Sequence, residues 1–420
     1  IRQTIFGVDI QPIATEISRL RCFLTLIVDE DIDDSRKDRG IKPLPNLDFK
    51  FVTANTLVSL PRPEDKKGII SDEQSALFEE KSDIDELRVI RNKYFSATGV
   101  ERIVLQSKFD RLQKKMILTN VDKFGGSASK LYDTLSRWDP FEHKPSEWFD
   151  PEWMFGLGDG FDIVIGNPPY YKENDDRTRF EGLRGLECYQ GKMDVWYLFG
   201  GLGIDLLKTN GVLAYIATNN WTTNSGASKF RNKVLEETRI INLLDFGSYM
   251  VFESASIQTM VMLFQKNTED GYAFDYRKIN SSKPERQQFE DLLNRLENPG
   301  NELLRSNISK TTLRNKLFTF YNSDSETVLT AIESKADTHL DPKEVAQGIV
   351  FPQDYVNKKS LAKLGEQHQL GEGIFVLNHE ERGKINPNHE ESEIIKPYFT
   401  SKQLGRYRAD SSNVEWVIYT

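Results

Sequence analysis

The chain has 420 residues, a formal net charge of −9 and a pI near 5.4, long enough for two or more domains with sizeable cores. Its acidic balance argues against a generally basic nucleic-acid coat, so any DNA contact must use local patches. Two distant cysteines (Cys22, Cys188) point to a reducing, cytoplasmic compartment rather than a disulfide framework, the five histidines show no metal-ligand spacing, and no apolar run could cross a bilayer.

The chain starts at Ile1, without methionine and already inside a strand-like pattern, and so reads as a fragment of a longer protein. Thr4 to Pro12 predicts a strand ending at Asp9, followed by a helix with apolar positions at Ile13, Ile17, Leu20, Leu24 and Ile27. A carboxylate at such a strand end accepts hydrogen bonds from ribose hydroxyls in nucleotide-binding folds; helix initiation is the competing role. Phe49 to Thr53 predicts another strand, ending in Ala54-Asn55-Thr56-Leu57, where Asn55 also suits a plain turn. Residues 61–150 are charged and helical in period over Glu73–Lys81, Ile84–Tyr94 and Val100–Met116, an insertion between strands. Its Lys-Phe-Asp-Arg-Leu-Gln-Lys-Lys stretch reads as a solvated face. Trp138, Trp148 and Trp153 are expected to pack the insertion onto the sheet.

Phe161-Asp162-Ile163-Val164-Ile165-Gly166-Asn167-Pro168-Pro169-Tyr170 reads as a short strand followed by a stiff turn. The near-continuous apolar run predicts a central strand covered on both faces, as in a parallel α/β sheet. Asn167, extended because proline follows it, then stands at the carboxyl end of that strand, where open α/β sheets carry ligands. Its side-chain carbonyl and the Pro168 main-chain carbonyl are two fixed acceptors that suit a planar –NH2 group. Tyr170 offers a ring for a flat substrate to stack on. An Asn-Pro-Pro-Tyr turn without chemistry is the bland alternative.

Residues 171–191 form a long polar loop, and loops of this length in compact domains are usually functional or mobile. A helix follows from Lys192 to Leu207, with Asp194 at its start, where capping competes with a binding role. Then come a strand (Gly211 to Thr218), Asn219-Asn220-Trp221, a helix (Ala227 to Glu237) and two strands (Ile240 to Phe246, Ile257 to Gln265) expected as a hairpin.

The Asn-Pro-Pro-Tyr strand end resembles the catalytic motif of amino-methyltransferases that use S-adenosylmethionine to methylate exocyclic amines. Gly-Phe-Asp-Ile-Val-Ile-Gly-Asn-Pro-Pro-Tyr is similar to the gamma-class N6-adenine DNA methyltransferases, above all the large ones of type IIG restriction–modification enzymes. The resemblance covers most of residues 1–266 and, more weakly, 340–420. It implies a Rossmann-like α/β methyltransferase sheet with a helical insertion, then a mixed α/β recognition domain. Asn167, Pro168, Pro169 and Tyr170 would be catalytic, with Tyr170 and Phe252 stacking on a flipped base. Asp9, Ile10, Asn55, Thr56, Asn167 and Asp194 would hold S-adenosylmethionine. The family's glycine-rich turn, expected about 20 residues before Asp9, would fall before residue 1.

Residues 1–266 are therefore expected as the catalytic domain, and 267–420 as linker helices (around Glu285–Leu296 and Ser325–Ser334) and the start of a target-recognition domain with short strands at 348–351, 373–377 and 414–419. There Lys396, Lys402, Arg406 and Arg408 would meet double-stranded DNA. Glu64-Asp65-Lys66 and Glu79-Glu80-Lys81 have a nuclease's letters but lie in helical or loop context, so any nuclease domain or subunit is expected outside this chain. The implied reaction is methyl transfer to adenine N6 in duplex DNA, without metal. The alternatives are methylation of an rRNA guanine or a release-factor glutamine, or a DNA-recognition module with a lost cofactor site.

Overall fold

The computed structural model describes residues 4–28, 30, 32–41, 43–59, 81–124, 128–252, 257–321, 323–338, 340–341, 354–365, 367–385, 387–405, 408–410, 412 and 415–419. They form two compact units, Ile1–Ala331 and Ile332–Thr420.

The first unit opens with β1 (Gly7–Asp9), paired in parallel with β2 (Phe51–Thr53). Between them runs α1 (Pro12–Val28). The helix forms as its periodicity predicts, but it turns its polar side inward. Thr15 Oγ1 lies 2.9 Å from Thr53 Oγ1, and the Arg19 guanidinium donates to the Phe51 carbonyl. Ile13, Ile17, Leu20, Leu24 and Ile27 are 46–64% exposed. Periodicity fixes which residues share a face, not what covers it.

The insertion is helical as expected. α2 (Lys81–Tyr94), α3 (Gly99–Phe124) and α4 (Ala128–Ser136) share a core with Phe49 and Val52. The three tryptophans join that core in sequence, with ring centroids 5.9 Å (Trp138–Trp148) and 5.6 Å (Trp148–Trp153) apart. α5 (Pro151–Phe155) is capped by the Asp150 carboxylate, which accepts from Trp153 N at 2.7 Å. The expected Glu73–Lys81 helical stretch and both nuclease-like triplets fall almost wholly outside the described residues.

The main sheet has six strands: β3 (Phe161–Gly166), β4 (Leu207–Thr218), β5 (Thr238–Asp245), β6 (Thr259–Lys266), β7 (Tyr272–Ile279) and β8 (Asn301–Ile308), in the order β3-β4-β6-β5-β7-β8. β3 and β4 are parallel, and β5 and β6 form the expected antiparallel pair. This is the α/β class that the sequence implied. α6 (Trp196–Asp205) and α7 (Ser228–Glu237) cover one face through Trp196, Tyr197, Trp221 and Phe230, all fully buried. The Lys233 ammonium, 4% exposed, pins this layer between Glu187 (2.6 Å), Asp205 (2.7 Å) and Glu237 (2.7 Å).

Two expectations fail here. Among the described strands β3 pairs with β4 alone, so it is an edge strand, and it is not covered on both faces. Val164 packs on the core, but Ile163 and Ile165 are 61% and 79% exposed. The β1–β2 ladder approaches it through rings, Phe6 to Phe161 at 6.1 Å, and not through a strand pairing. The boundary expected after Lys266 also falls inside the sheet, because β7 and β8 continue it beside β5. The two helices expected in that stretch do form, as α8 (Arg286–Asn294) and α9 (Ser323–Ser334).

The second unit holds β9 (Val376–Asn378), β10 (Ile395–Tyr398), a ribbon of β11 (Leu404–Gly405) and β12 (Arg408–Ala409), and β13 (Glu415–Ile418). β10, β13 and β9 form an antiparallel sheet in that order. Val376 and Val417 are buried in it, and the Arg382 guanidinium lies 4.5 Å from the Trp416 ring centroid. The strand expected at 348–351 lies outside the described residues. No described helix is long and apolar enough to cross a membrane.

Candidate catalytic site

β3 delivers Asn167 to its carboxyl end, exposed, with Pro168 buried behind it. The preceding residue must be glycine, since a Cβ on Gly166 would stand 2.8 Å from the Tyr215 ring. The turn brings Tyr170 back onto Asn167. The tyrosine hydroxyl contacts the Asn167 Oδ1 as donor and also lies 2.8 Å from the Ile216 carbonyl of β4. One hydroxyl carries one proton, so only one of the two acceptors is served at a time. Burial, with Asp194 adding to it, pushes the Tyr170 phenol up to about 12, which keeps it neutral. The Phe252 ring stands 6.3 Å from that of Tyr170, tilted by 48°.

The long loop is packed rather than loose. Phe180, Leu183 and Cys188 are buried, and Tyr189 and the Lys192 amide both donate to the Glu173 carboxylate, at 2.5 and 2.7 Å. Its first residues zip onto the start of α6. Val195 N donates to Tyr171 O at 3.0 Å, Glu173 N donates to Met193 O at 2.9 Å, and Lys172 bridges Asp194. This fold-back sets Asp194 beside Tyr170. The Asp194 carboxyl is 2% exposed. Trp196 N donates to it at a long 3.5 Å, and among the described residues it makes no ion pair. Burial therefore pushes it up to about 7, against the pull of the Trp196 amide and of Lys172.

Behind this group lies a polar network that the sequence reading missed. Asp245, at the end of β5, is buried and accepts from Asn219 Nδ2 (2.9 Å), Gly247 N (2.8 Å) and the Tyr276 hydroxyl (2.9 Å). It joins the ends of β4, β5 and β7. An acid closing the apolar run Ile240–Asp245 is the same signal that singled out Asp9. Trp196 Nε1 likewise donates to Thr218 Oγ1 at 2.7 Å, fixing α6 to the end of β4.

The other expected binding residues stand at the carboxyl ends of β1 and β2. Ala54 N donates to Asp9 O at 2.9 Å, so the Asp9 and Asn55 segments are neighbours. Asp9 is exposed, and one carboxylate oxygen accepts from Gln11 N at 2.8 Å. Ile10 is 65% exposed. Asn55 and Thr56 are half-buried, with Asn55 Oδ1 accepting from Leu57 N at 3.2 Å. Among the described residues no hydrogen bond or ring contact joins this group to Asn167, Tyr170 or Asp194. Of the residues expected on DNA, Lys396 is exposed on β10, while Arg406 and the side chains of Lys402 and Arg408 lie outside the described residues.

Residues 3–252 match the Eco57I restriction-modification methylase family, well over half of the chain, and the chain belongs to that family. Asp9, Asn55, Asn167, Tyr170, Asp194 and Phe252 all fall within the match. The type II restriction enzyme and methyltransferase RM.Eco57I of Escherichia coli is 25% identical over 166 residues, 37% of this chain and 16% of the relative. RM.MjaORFECS2P of Methanocaldococcus jannaschii is 24% identical over 313 residues, 63% of this chain and 26% of the relative. The chain thus covers less than a third of either relative. A solved structure, the type IIL restriction-modification enzyme MmeI in complex with DNA, aligns over 82% of this chain and 49% of its own at 12% identity, with a TM-score of 0.35; this loose likeness adds nothing to the family match.

Proposed function

We propose that this chain carries the catalytic part of a DNA adenine-N6 methyltransferase that takes its methyl group from S-adenosylmethionine. The observation that carries the reading is the exposed Asn167 amide at the carboxyl end of β3, with the Tyr170 and Phe252 rings beside it. The adenine must leave the duplex to reach such a group. Its ring lies against Tyr170 and Phe252, which replaces stacking lost with its neighbours. Asn167 Oδ1 and the Pro168 carbonyl then accept the two N6 hydrogens. Drawing those hydrogens out would localise the lone pair on nitrogen for attack on the methyl carbon, whose bond to sulfur would break with its electron pair leaving on the sulfur, and the nitrogen would then shed one proton to solvent at the exposed amide. When the amine takes Asn167 Oδ1, the Tyr170 proton has the Ile216 carbonyl to turn to. Catalysis rests on orientation and lone-pair release.

The residues present fit the methyl donor. Asp194 is a buried carboxyl without an ion-pair partner among the described residues, suited to an ammonium group. Asp9 retains a carboxylate oxygen for ribose hydroxyls, and the Asn55 amide can reach an adenine edge. S-adenosylmethionine supplies a methyl group on a positively charged sulfur. The same reading expects a glycine-rich turn to complete the donor site. Double-stranded DNA as partner, contacts from Lys396, Lys402, Arg406 and Arg408, a nuclease outside this chain and a cytoplasmic setting belong to the same proposal.

The test is transfer of labelled methyl from S-adenosylmethionine to unmethylated DNA by this protein, followed by nucleoside analysis. Label in N6-methyladenine that disappears with Asn167→Ala is the expected result. Donor binding with no label on DNA would move the substrate to another amine or amide. Absence of donor binding would leave a recognition module.

A further inference from the structure

At the opposite, amino ends of the strands lies a second pocket, of about 250 Å³. Its walls come from Phe6 before β1, Lys50 before β2, Gly160 before β3 and Lys208 in β4, closed by Arg88 and Arg91 of α2. β3 alone sets it about 20 Å from Asn167. Four cations line the pocket, Lys50, Arg88, Arg91 and Lys208, against one carboxylate, Asp159.

Arg91 is the unusual member. It is 7% exposed and donates from Nη2 to the Trp153 carbonyl. Nε and Nη1 are buried without a hydrogen-bond partner among the described residues. A Cβ on Gly156 would stand 2.9 Å from Nη1, so the glycine lets the backbone pack against that nitrogen. Arg88 and Lys208 are only partly engaged. Arg88 donates to Gly156 O at 3.2 Å and meets Asp85 at 3.5 Å. Lys208 pairs with exposed Asp162 at 3.1 Å, and Lys50 lies 3.7 Å from the centroid of the Phe6 ring. The carboxylates acting on Arg91, Asp150 and Glu152, do not offset its burial, which pulls the guanidinium down to about 9 with Arg88 pushing the same way. Leaving buried guanidinium donors unmade is costly, and a phosphate supplies the missing acceptors and charge.

We propose that this pocket binds a small phosphate-bearing compound, held by Arg88 and Lys208, with the buried Arg91 guanidinium adding its charge behind them. The pocket shares no lining residue with the Asn167 group, so this proposal stands apart from the one on methyl transfer.

The test is calorimetric titration of the full chain with inorganic phosphate, at ionic strength held constant with chloride. Saturable binding is expected, weakened about tenfold or more by the double variant Arg88→Ala, Lys208→Ala, since each charged hydrogen bond is worth about 1.5–3 kcal/mol. Both side chains are well exposed, so circular dichroism should show the variant folded. Arg91→Met, which keeps the side chain's length, should abolish binding. Tighter binding of adenosine monophosphate, undisturbed by a short duplex, would assign a free nucleotide; displacement of phosphate by the duplex would assign the DNA backbone. No saturable heat with wild type, or equal affinity in the folded double variant, would overturn the proposal.

Discussion

The carboxyl ends of β3 and of the β1–β2 pair hold similar residues in opposite states. At β3, Asn167, Tyr170 and Asp194 sit in one packed neighbourhood, with contacts reaching from Tyr170 to Ile216 and from Lys172 to Asp194. At β1 and β2, Asp9 and Asn55 each bond a backbone amide two residues further on and otherwise stay open. Two aspartates with the same expected task differ accordingly. Asp194 is buried and pushed up to about 7, whereas Asp9 is exposed. The first region is held together by its own contacts, whereas the second presents open polar groups. Substitutions at β3 should therefore change the chemical step, and those at β1 and β2 the affinity for the methyl donor.

The largest effect is expected from Asn167→Ala. Removing a preorganised group of this kind costs about 10²–10³ in rate, well beyond any accompanying change in KM for the donor. Because the side chain is exposed, stability should stay within about 0.5 kcal/mol of wild type. Initial rates of methyl transfer and a thermal melt decide it, and a rate loss matched by unfolding would break the comparison. Tyr170→Ala comes next. It removes one stacking face worth about 1–3 kcal/mol per base, so DNA affinity should fall by about tenfold to a hundredfold. Tyr170→Phe, which keeps the ring, should retain most of it. Competition binding with a duplex substrate measures both.

Asp194 sharpens the contrast through pH. Its folded carboxyl titrates near 7, far above the ordinary value of 3.8. The native state then binds more protons than the unfolded chain between these values, so stability falls as pH rises from about 4 to 7 and levels off above. Asp194→Asn should flatten that part of the profile, while Asp9→Asn should leave it in place and only weaken donor binding a few-fold. Melting temperatures of the three proteins between pH 5 and 8 test the sign. A wild type that gains stability over this range relative to Asp194→Asn would refute the assignment.

Much of this was legible in the sequence, for identifiable reasons. Strand β3 and its turn announce themselves because two prolines and a run of β-branched residues leave the backbone few choices. The β5–β6 pair and the tryptophan packing of the insertion follow from local pattern. What the sequence hid was the partner of each face. The α1 period marks Ile13 to Ile27 as one stripe, yet it is Thr15 and Arg19 that meet the sheet. β7 and β8 follow a polar turn and read as a new segment, but strand pairing is blind to loop composition and they extend the sheet beyond Lys266. Asp245 escaped because its three donors come from residues 219, 247 and 276, a convergence that no spacing displays.

The smallest effect expected tests the uncovered face of β3. Ile163 and Ile165 are 61% and 79% exposed, whereas Leu213 on the neighbouring strand is 1% exposed. Were all three equally packed, truncating any of them would cost several kcal/mol. With the exposures seen here, Leu213→Ala should cost about 2–5 kcal/mol, while Ile163→Ser and Ile165→Ser should each stay within about 0.5 kcal/mol in this 420-residue chain. If another surface covers this face in solution, each serine should instead cost about 1.5–3 kcal/mol, the worth of one buried isoleucine. Denaturant unfolding reads the difference, and costs within about 0.5 kcal/mol would mean that the face stays open to water.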